Sequence, residues 1–162
     1  MTTQAHPTVW KSVAARRWLL ITTEVIVALN AVGGAIWGLR DAKDVPREWL
    51  EGTPFDSYVM PSLVLLIAIG GGMGAAVTAL LINHRFAPEL SIAAGLILIG
   101  WIVVQVLMIA PNGGVSWLQP TMLAVGALVA ALGWQLREAV RRRNPNLSTP
   151  SQGGGVSHVD AH

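Results

Sequence analysis

Four long apolar stretches constrain this chain more than any other feature of its sequence. They are residues 18–39, 58–82, 90–110 and 115–136, of which the last three contain no charged side chain and the first contains only Glu24. At a rise of about 1.5 Å per residue, each stretch can cross a hydrocarbon core of about 30 Å. The sequence therefore predicts an all-α integral membrane protein, built as a four-helix transmembrane bundle.

The domain organisation follows from these stretches. Hydrophobic residues make up 52% of the chain and charged residues only 12%, which is unlike the usual balance of a soluble domain. We expect a cytoplasmic N-terminal segment over residues 1–17 and a transmembrane domain over residues 18–136 with an extracytoplasmic loop at residues 40–57. Residues 137–162 should form a basic and then disordered cytoplasmic tail. This leaves no room for a soluble catalytic domain.

The basic residues flank the predicted helices instead of forming a patch with interleaved aromatic residues. If the helices alternate in direction, eight of the eleven lysines and arginines share the side of both chain termini. These are Lys11, Arg16, Arg17, Arg85, Arg137, Arg141, Arg142 and Arg143, against Arg40, Lys43 and Arg47 on the opposite side. The positive-inside rule then predicts a multi-pass protein of the cell (inner) membrane with both termini in the cytoplasm. The expected partner of these charges is the lipid bilayer and not nucleic acid.

Neither cysteine nor histidine offers a reactive or metal-binding centre. Cysteine is absent, and the four histidines lie outside the predicted helices. Disulfides, thiolate nucleophiles, iron–sulfur clusters and a haem held by histidines inside the bundle are therefore not expected. The apolar stretches also contain no paired carboxylates and no nucleophile–base arrangement. We expect no metal site, no cofactor and no enzymatic activity.

Glu24 is the most distinctive chemical feature, because it lies roughly 9 Å inside the first predicted helix. A carboxyl at that depth is costly and must face a partner, a water-filled cavity or the bundle interior. Helical spacing places Glu24 on a face of small residues with Ala28 and Ala31, which favours an inward orientation. Asn30 on an adjacent stripe and Gln105 on the third helix extend a polar track toward the outside.

This polar track has two interpretations. Glu24, Asn30 and Gln105 together form a candidate proton or cation site. Alternatively, the carboxyl and the two amides only make hydrogen bonds between helices, or the carboxyl reaches a lipid headgroup or an arginine at the cytoplasmic surface. The arginines on that side are Arg16, Arg17 and Arg85.

Small residues spaced four apart mark candidate faces for close helix packing. Such pairs let helix backbones approach each other in lipid, where packing takes the place of the hydrophobic effect. The pairs are Gly70/Gly74, Gly71/Ala75 and Gly72/Ala76 in the second helix and Gly126/Ala130 in the fourth. The second and fourth helices are therefore the strongest candidates for close contacts, either within one chain or between two.

Three segments resemble motifs of a group of small four-helix bacterial integral membrane proteins of unassigned function. They are residues 53–61 (TPFDSYVMP), 100–105 (GWIVVQ) and 116–120 (SWLQP), within a resemblance that covers residues 18–136. It implies the four-helix fold and a shared polar and aromatic feature toward the outer side, with no activity attached. The residues implied in that feature are Trp101, Gln105, Trp117, Gln119 and Pro120.

A shorter resemblance concerns residues 24–26, Glu-Val-Ile, in the first of four helices. This fragment is similar to the small multidrug resistance exporters, in which a first-helix glutamate exchanges protons for cationic drugs. It implies a proton-exchanging role for Glu24. The loop at 40–57, the tail and the later helices depart from the pattern of those exporters.

The sequence as a whole favours a structural or accessory partner in a membrane assembly, with no chemistry of its own. Its expected partner is another membrane protein or a second copy of the chain. The alternative is a small proton- or cation-coupled transporter or channel that uses Glu24.

The predicted orientation can be tested with single cysteines, because the chain has none of its own. In intact cells, Leu50→Cys in the loop should react with a membrane-impermeant thiol reagent, and Leu147→Cys in the tail should react only after the cells are opened. The opposite accessibility would show that the orientation is reversed.

Overall fold

The computed structural model describes residues 7–40, 42, 45, 47–112 and 116–143. The described chain is helical and contains no β-strand. Four of its helices are long and apolar enough to cross a membrane, which confirms the predicted fold class. The predicted disordered tail from residue 144 onward lies outside the described residues.

The four long helices, called spans below, cover the four predicted stretches, although the first begins eleven residues before residue 18 and the fourth ends seven residues after residue 136. The first span is the helix Pro7–Leu39, the second covers Val59–Leu81, the third is Ala87–Ile109 and the fourth is Leu118–Arg143. A short 3₁₀ helix, Arg47–Leu50, lies in the connection between the first two spans. We call the end of the bundle where the first span begins and the fourth ends the basic end, and the opposite end the loop end.

The fourth span begins three residues later than predicted, at Leu118, because Ser116 and Gln119 stop the helix from extending further back. The backbone N–H of Ser116 donates to Oε1 of Gln119 at 2.7 Å, and the Leu118 N–H approaches Oγ of Ser116 at 3.4 Å. This pairing of a serine with a glutamine three residues later is the reciprocal cap of a helix N-terminus.

The second span is not a uniform α-helix. It consists of an α-helix at Val59–Val64, a π-helix at Leu65–Gly71 and a second α-helix at Gly72–Leu81. The sequence predicts the span but not the π segment. Such wider turns are rare, and they frequently accompany functional sites.

The spans form a four-sided bundle. Among the described residues, the first span packs against the second and fourth, and the third span also packs against the second and fourth. The first and third spans therefore face each other across the centre, as do the second and fourth. The contact between the third and fourth spans is as extensive as that between the first and second.

Glycine makes that contact a close one. A Cβ atom on Gly95 of the third span would stand 2.7 Å from the carbonyl oxygen of Gly126 and 2.8 Å from the backbone nitrogen of Ala130. Gly126 and Ala130 of the predicted packing faces thus lie against the third span.

The glycines of the second span are packed more openly. Gly70 faces Ala31 of the first span, with 3.8 Å between their Cβ positions, whereas a Cβ on Gly72 or Gly74 would meet nothing within 4 Å. Gly71 is exposed. Within one chain, therefore, the glycines at 70–74 do not make a close contact. The second span instead approaches the first at Ser62, whose side chain fills the space beside Gly38.

The basic end of the second span is fixed by a residue of the first. Asn83 adopts a left-handed backbone with φ of 55°, and the His84 N–H donates to the Ala79 carbonyl at 2.9 Å. This is a Schellman motif, in which asparagine takes the place usually filled by glycine. Arg17 then donates to the Leu80 carbonyl at 2.6 Å and to the side-chain oxygen of Asn83. The first span thereby satisfies carbonyl groups that the helix end leaves open.

The contact between the third and fourth spans predicts a difference between two glycines of the same helix. Gly95→Ala should lower the free energy of unfolding by about 1–3 kcal/mol. The added methyl group would collide with backbone atoms of the fourth span, which cannot move aside as a side chain can. Denaturation of the purified protein in detergent measures this change.

Gly100→Ala is the matched control, since a Cβ there meets nothing within 4 Å. It should leave the stability unchanged or slightly raised. Equal stability of the two variants would contradict the close packing at Gly95.

Candidate functional site

Glu24 lies inside the bundle and is fully buried, with 0% of its surface exposed. Neither of its carboxylate oxygens, Oε1 or Oε2, has a hydrogen-bond partner among the described residues. The first span places it there because Leu20, Glu24, Val27 and Ala31 follow helical spacing and form the buried face. The inward orientation predicted from that spacing is confirmed.

Ser91 of the third span shares this buried site. It is also 0% exposed, and its hydroxyl lies near the Glu24 carboxyl across the bundle without meeting the geometry of a hydrogen bond. Its Oγ atom makes no hydrogen bond of good geometry, so the hydroxyl is not committed to its own helix. The carboxyl and the hydroxyl together form a polar pair between the first and third spans, which face each other across the centre of the bundle.

The arginines considered as partners of Glu24 are engaged elsewhere. Arg17 donates to the last turn of the second span. The guanidinium carbon of Arg85 stands 4.4 Å from the centre of the Phe86 ring. Arg16 lines a groove at the basic end. The carboxyl of Glu24 therefore lacks a cationic partner in the described part of the chain.

Two hydrophobic clusters enclose the Glu24–Ser91 pair. The basic-end cluster consists of Leu20, Ile21, Ala79, Leu80, Ala87, Val129, Leu132 and Leu136. The loop-end cluster consists of Val27, Ala31, Ile69, Met73, Ala76, Ala94, Leu98 and Ile102. Glu24 falls between the two sets along the first span, and Ser91 falls between them along the third. The pair is thus a polar layer with an apolar layer on either side.

A cavity occupies the loop-end half of the bundle. It has a volume of about 240 Å³ and is lined by residues of all four spans. Its deepest lining residue on the first span is Val27, which lies about one helical turn from Glu24. A second cavity of about 370 Å³ adjoins it nearer the loop end. The residues that line both are Gly34, Leu65, Trp101, Gln105, Leu118 and Gln119.

The two predicted companions of Glu24 line the deeper cavity but do not contact the carboxyl. Asn30 is exposed, so its amide stands at the mouth of the cavity, and Gln105 is half-buried on the opposite wall. The structure therefore brings Asn30 and Gln105 together around one space and leaves Glu24 beneath its floor.

The polar and aromatic feature implied by the resemblance is divided. Trp101, Gln105 and Gln119 line the same cavity. Trp117, with 76% of its surface exposed, and the exposed Pro120 lie at the start of the fourth span. Only the first three residues share a site.

Sequence reasoning missed Ser91. It is a single hydroxyl in an apolar stretch. The sequence of that stretch does not show which span packs opposite Ser91, so it could not place Ser91 near Glu24. A signal was nevertheless present, because Ser91, Gly95, Leu98 and Ile102 follow helical spacing and form the buried face of the third span. A polar residue on such a face is a candidate partner for a buried carboxyl.

The layered arrangement predicts that a thiol reagent reaches cysteines at different positions of the third span at different rates. Gln105→Cys, in the cavity wall, should react with a water-soluble thiol reagent roughly tenfold faster than Ser91→Cys, which is enclosed between the clusters. The rates can be followed by mass spectrometry after reconstitution. Equal rates at the two positions would show that the apolar layer does not separate Ser91 from the cavity.

The chain was also compared with known proteins. No protein-family model, curated protein or solved structure matches it.

Proposed function

We propose that this protein is a small proton- or cation-coupled transporter or channel in which Glu24 is the ion-binding group. The observation that carries the proposal is the fully buried carboxyl of Glu24, which lies near the hydroxyl of Ser91 and has no cationic partner among the described residues.

Glu24 is deep in the bundle and is separated from the charged side chains of the described residues. An ionised side chain near the centre of a membrane helix costs about 3 kcal/mol on insertion scales. A neutral residue of similar volume would avoid this cost, and no cationic side chain of the described residues offsets it at Glu24. Binding a proton or a cation removes the charge and the cost together.

The available ligands favour a proton over a metal cation. The site offers three oxygen atoms, two from Glu24 and one from Ser91. A calcium ion takes six to eight oxygen ligands, and magnesium requires a near-octahedral set. A carboxyl and one hydroxyl are enough to bind and pass on a proton.

The cavity provides a route toward this site from the loop end. Its lining includes the amides of Asn30 and Gln105, and its floor includes Val27 and Ile69. A rearrangement of one layer of side chains would connect the cavity with Glu24.

Flux through vesicles tests the proposal. The purified protein, reconstituted in liposomes with an internal pH-sensitive dye, should dissipate an imposed pH step faster than empty liposomes. Glu24→Gln keeps the shape of the side chain and removes its ability to exchange a proton, so it should reduce the flux to the level of empty liposomes.

Glu89→Gln is the matched control. Glu89 lies in the first turn of the third span, and its Oε1 is 3.2 Å from Nε of Arg137, away from the cavity. This variant should keep the flux of the unaltered chain. A folded Glu24→Gln protein with full flux would refute the proposed role of Glu24.

A second candidate function is that of an accessory subunit in a membrane assembly. The observation that favours it is the open small-residue face of the second span, where Gly71 and Ala75 are exposed and a Cβ on Gly72 or Gly74 meets nothing within 4 Å. Such a face fits a helix of another protein. A stoichiometric protein partner in native mass spectrometry, together with unchanged flux in Glu24→Gln, would favour this function.

A further inference from the structure

The loop-end half of the bundle is open on one side. The fully buried residues of the basic-end cluster come from all four spans. Those of the loop-end cluster come from the first three spans alone, and the fourth span adds only the partly buried Met122, Leu123 and Val125. Although Gly126 holds the fourth span against the third, the fourth span therefore contributes no fully buried side chain to the loop-end cluster.

The exposed Asn30 locates the opening. It belongs to the first span, yet it lines the same cavity as Met122 and Leu118 of the fourth span. Leu118 is itself exposed. The cavity thus reaches the outer surface of the bundle between the first and fourth spans, at a level that lies within the apolar stretches of both.

The chemistry of the walls changes with depth. The deeper part is lined mainly by aliphatic side chains, which are Val27, Ala31, Leu65, Ile69, Leu98 and Ile102. Nearer the loop end the walls carry hydroxyl and amide groups. These belong to Tyr58, Ser62, Gln105, Ser116 and Gln119. The described lining residues of both cavities include no charged side chain.

We propose that this cavity binds one acyl chain of a bilayer phospholipid, which enters between the first and fourth spans. The acyl chain lies among the aliphatic residues of the deeper cavity, and an ester carbonyl group accepts a hydrogen bond from the amide of Gln105, which is near the loop end of the third span. The charged headgroup stays outside, because no charged residue of the lining would bind it.

Size and solvation support this occupant. A methylene group is about the size of a water molecule, which occupies about 30 Å³. The deeper cavity, with its volume of about 240 Å³, therefore holds on the order of eight methylene groups. Water is a poor occupant of its aliphatic end, since a buried water needs two to four polar partners. Lipid chains surround any span in a membrane and match these walls. The site rests on the cavity alone and is independent of the role proposed for Glu24.

Fluorescence quenching by brominated lipid tests the proposal, with Trp101 in the cavity wall as the reporter. The protein is reconstituted in phosphatidylcholine vesicles whose chains are either plain or dibrominated. Subtracting the fluorescence of the Trp101→Phe protein from that of the unaltered protein isolates the signal of Trp101. That signal should fall at least twofold in the brominated vesicles.

Two variants of the fourth span separate the cavity from the general lipid surface. Met122→Phe fills the cavity and should restore most of the Trp101 signal. Leu128→Phe makes a change of similar size at an exposed position outside the described lining and should restore none. If Met122→Phe does not fold, Leu118→Phe at the exposed mouth takes its place.

Native mass spectrometry of the same vesicles identifies the occupant. One phospholipid per chain, lost in Met122→Phe and kept in Leu128→Phe, supports the proposal. Three results would overturn it: an unquenched Trp101, equal quenching in both variants, or retention of a free amphiphile or a second protein copy in place of phospholipid.

Discussion

Close backbone packing between the third and fourth spans is the constraint on which the shape of this bundle depends. The contact at Gly95 and Gly126 continues toward the basic end, where a Cβ on Gly133 would stand 3.1 Å from the backbone nitrogen of Ile92. In lipid such contacts are a principal source of association, because the tails are as apolar as the side chains. Held to the third span in this way, the fourth span supplies fully buried apolar residues at the basic end, and the cavity lies in the loop-end half, where it supplies none to the cluster.

The polar layer of Glu24 and Ser91 lies where the two halves meet. Apolar side chains cover it on both sides, so the carboxyl has no direct contact with either end of the bundle. Exchange of a proton at Glu24 would therefore need movement of one layer at a time. On the loop-end side the covering layer includes Val27, Met73 and Ala76. At the basic end it includes Leu20, Leu80 and Val129. The loop-end layer is the one that borders the cavity, through Val27.

The sequence predicted much of the fold and a smaller part of the site. Apolar length alone located the four spans, because a helix must satisfy its backbone inside the membrane. Helical spacing also gave the inward orientation of Glu24, and the small residues Gly126 and Ala130 marked a real contact. Spacing reveals which face of a helix is buried but not which helix covers it. For that reason the position of Ser91 opposite Glu24 and the third-span partner of Gly126 came from the structure. The cavity depends on how far two spans diverge, which no single stretch encodes.

The π-helix of the second span has a mechanical consequence. Residues 59–64 and residues 72–81 meet different neighbours: Ser62 lies against Gly38 at the loop end, whereas Met73 and Ala76 lie in the core. A continuous α-helix advances by about 100° per residue, so its two ends have faces that are rigidly linked. The wider turns at Leu65–Gly71 break that link and let each end take its own rotation. The same segment contributes Leu65 and Ile69 to the cavity wall. A change of one residue in its register would turn the loop end of the span relative to its core and reshape the cavity without disturbing the polar layer below.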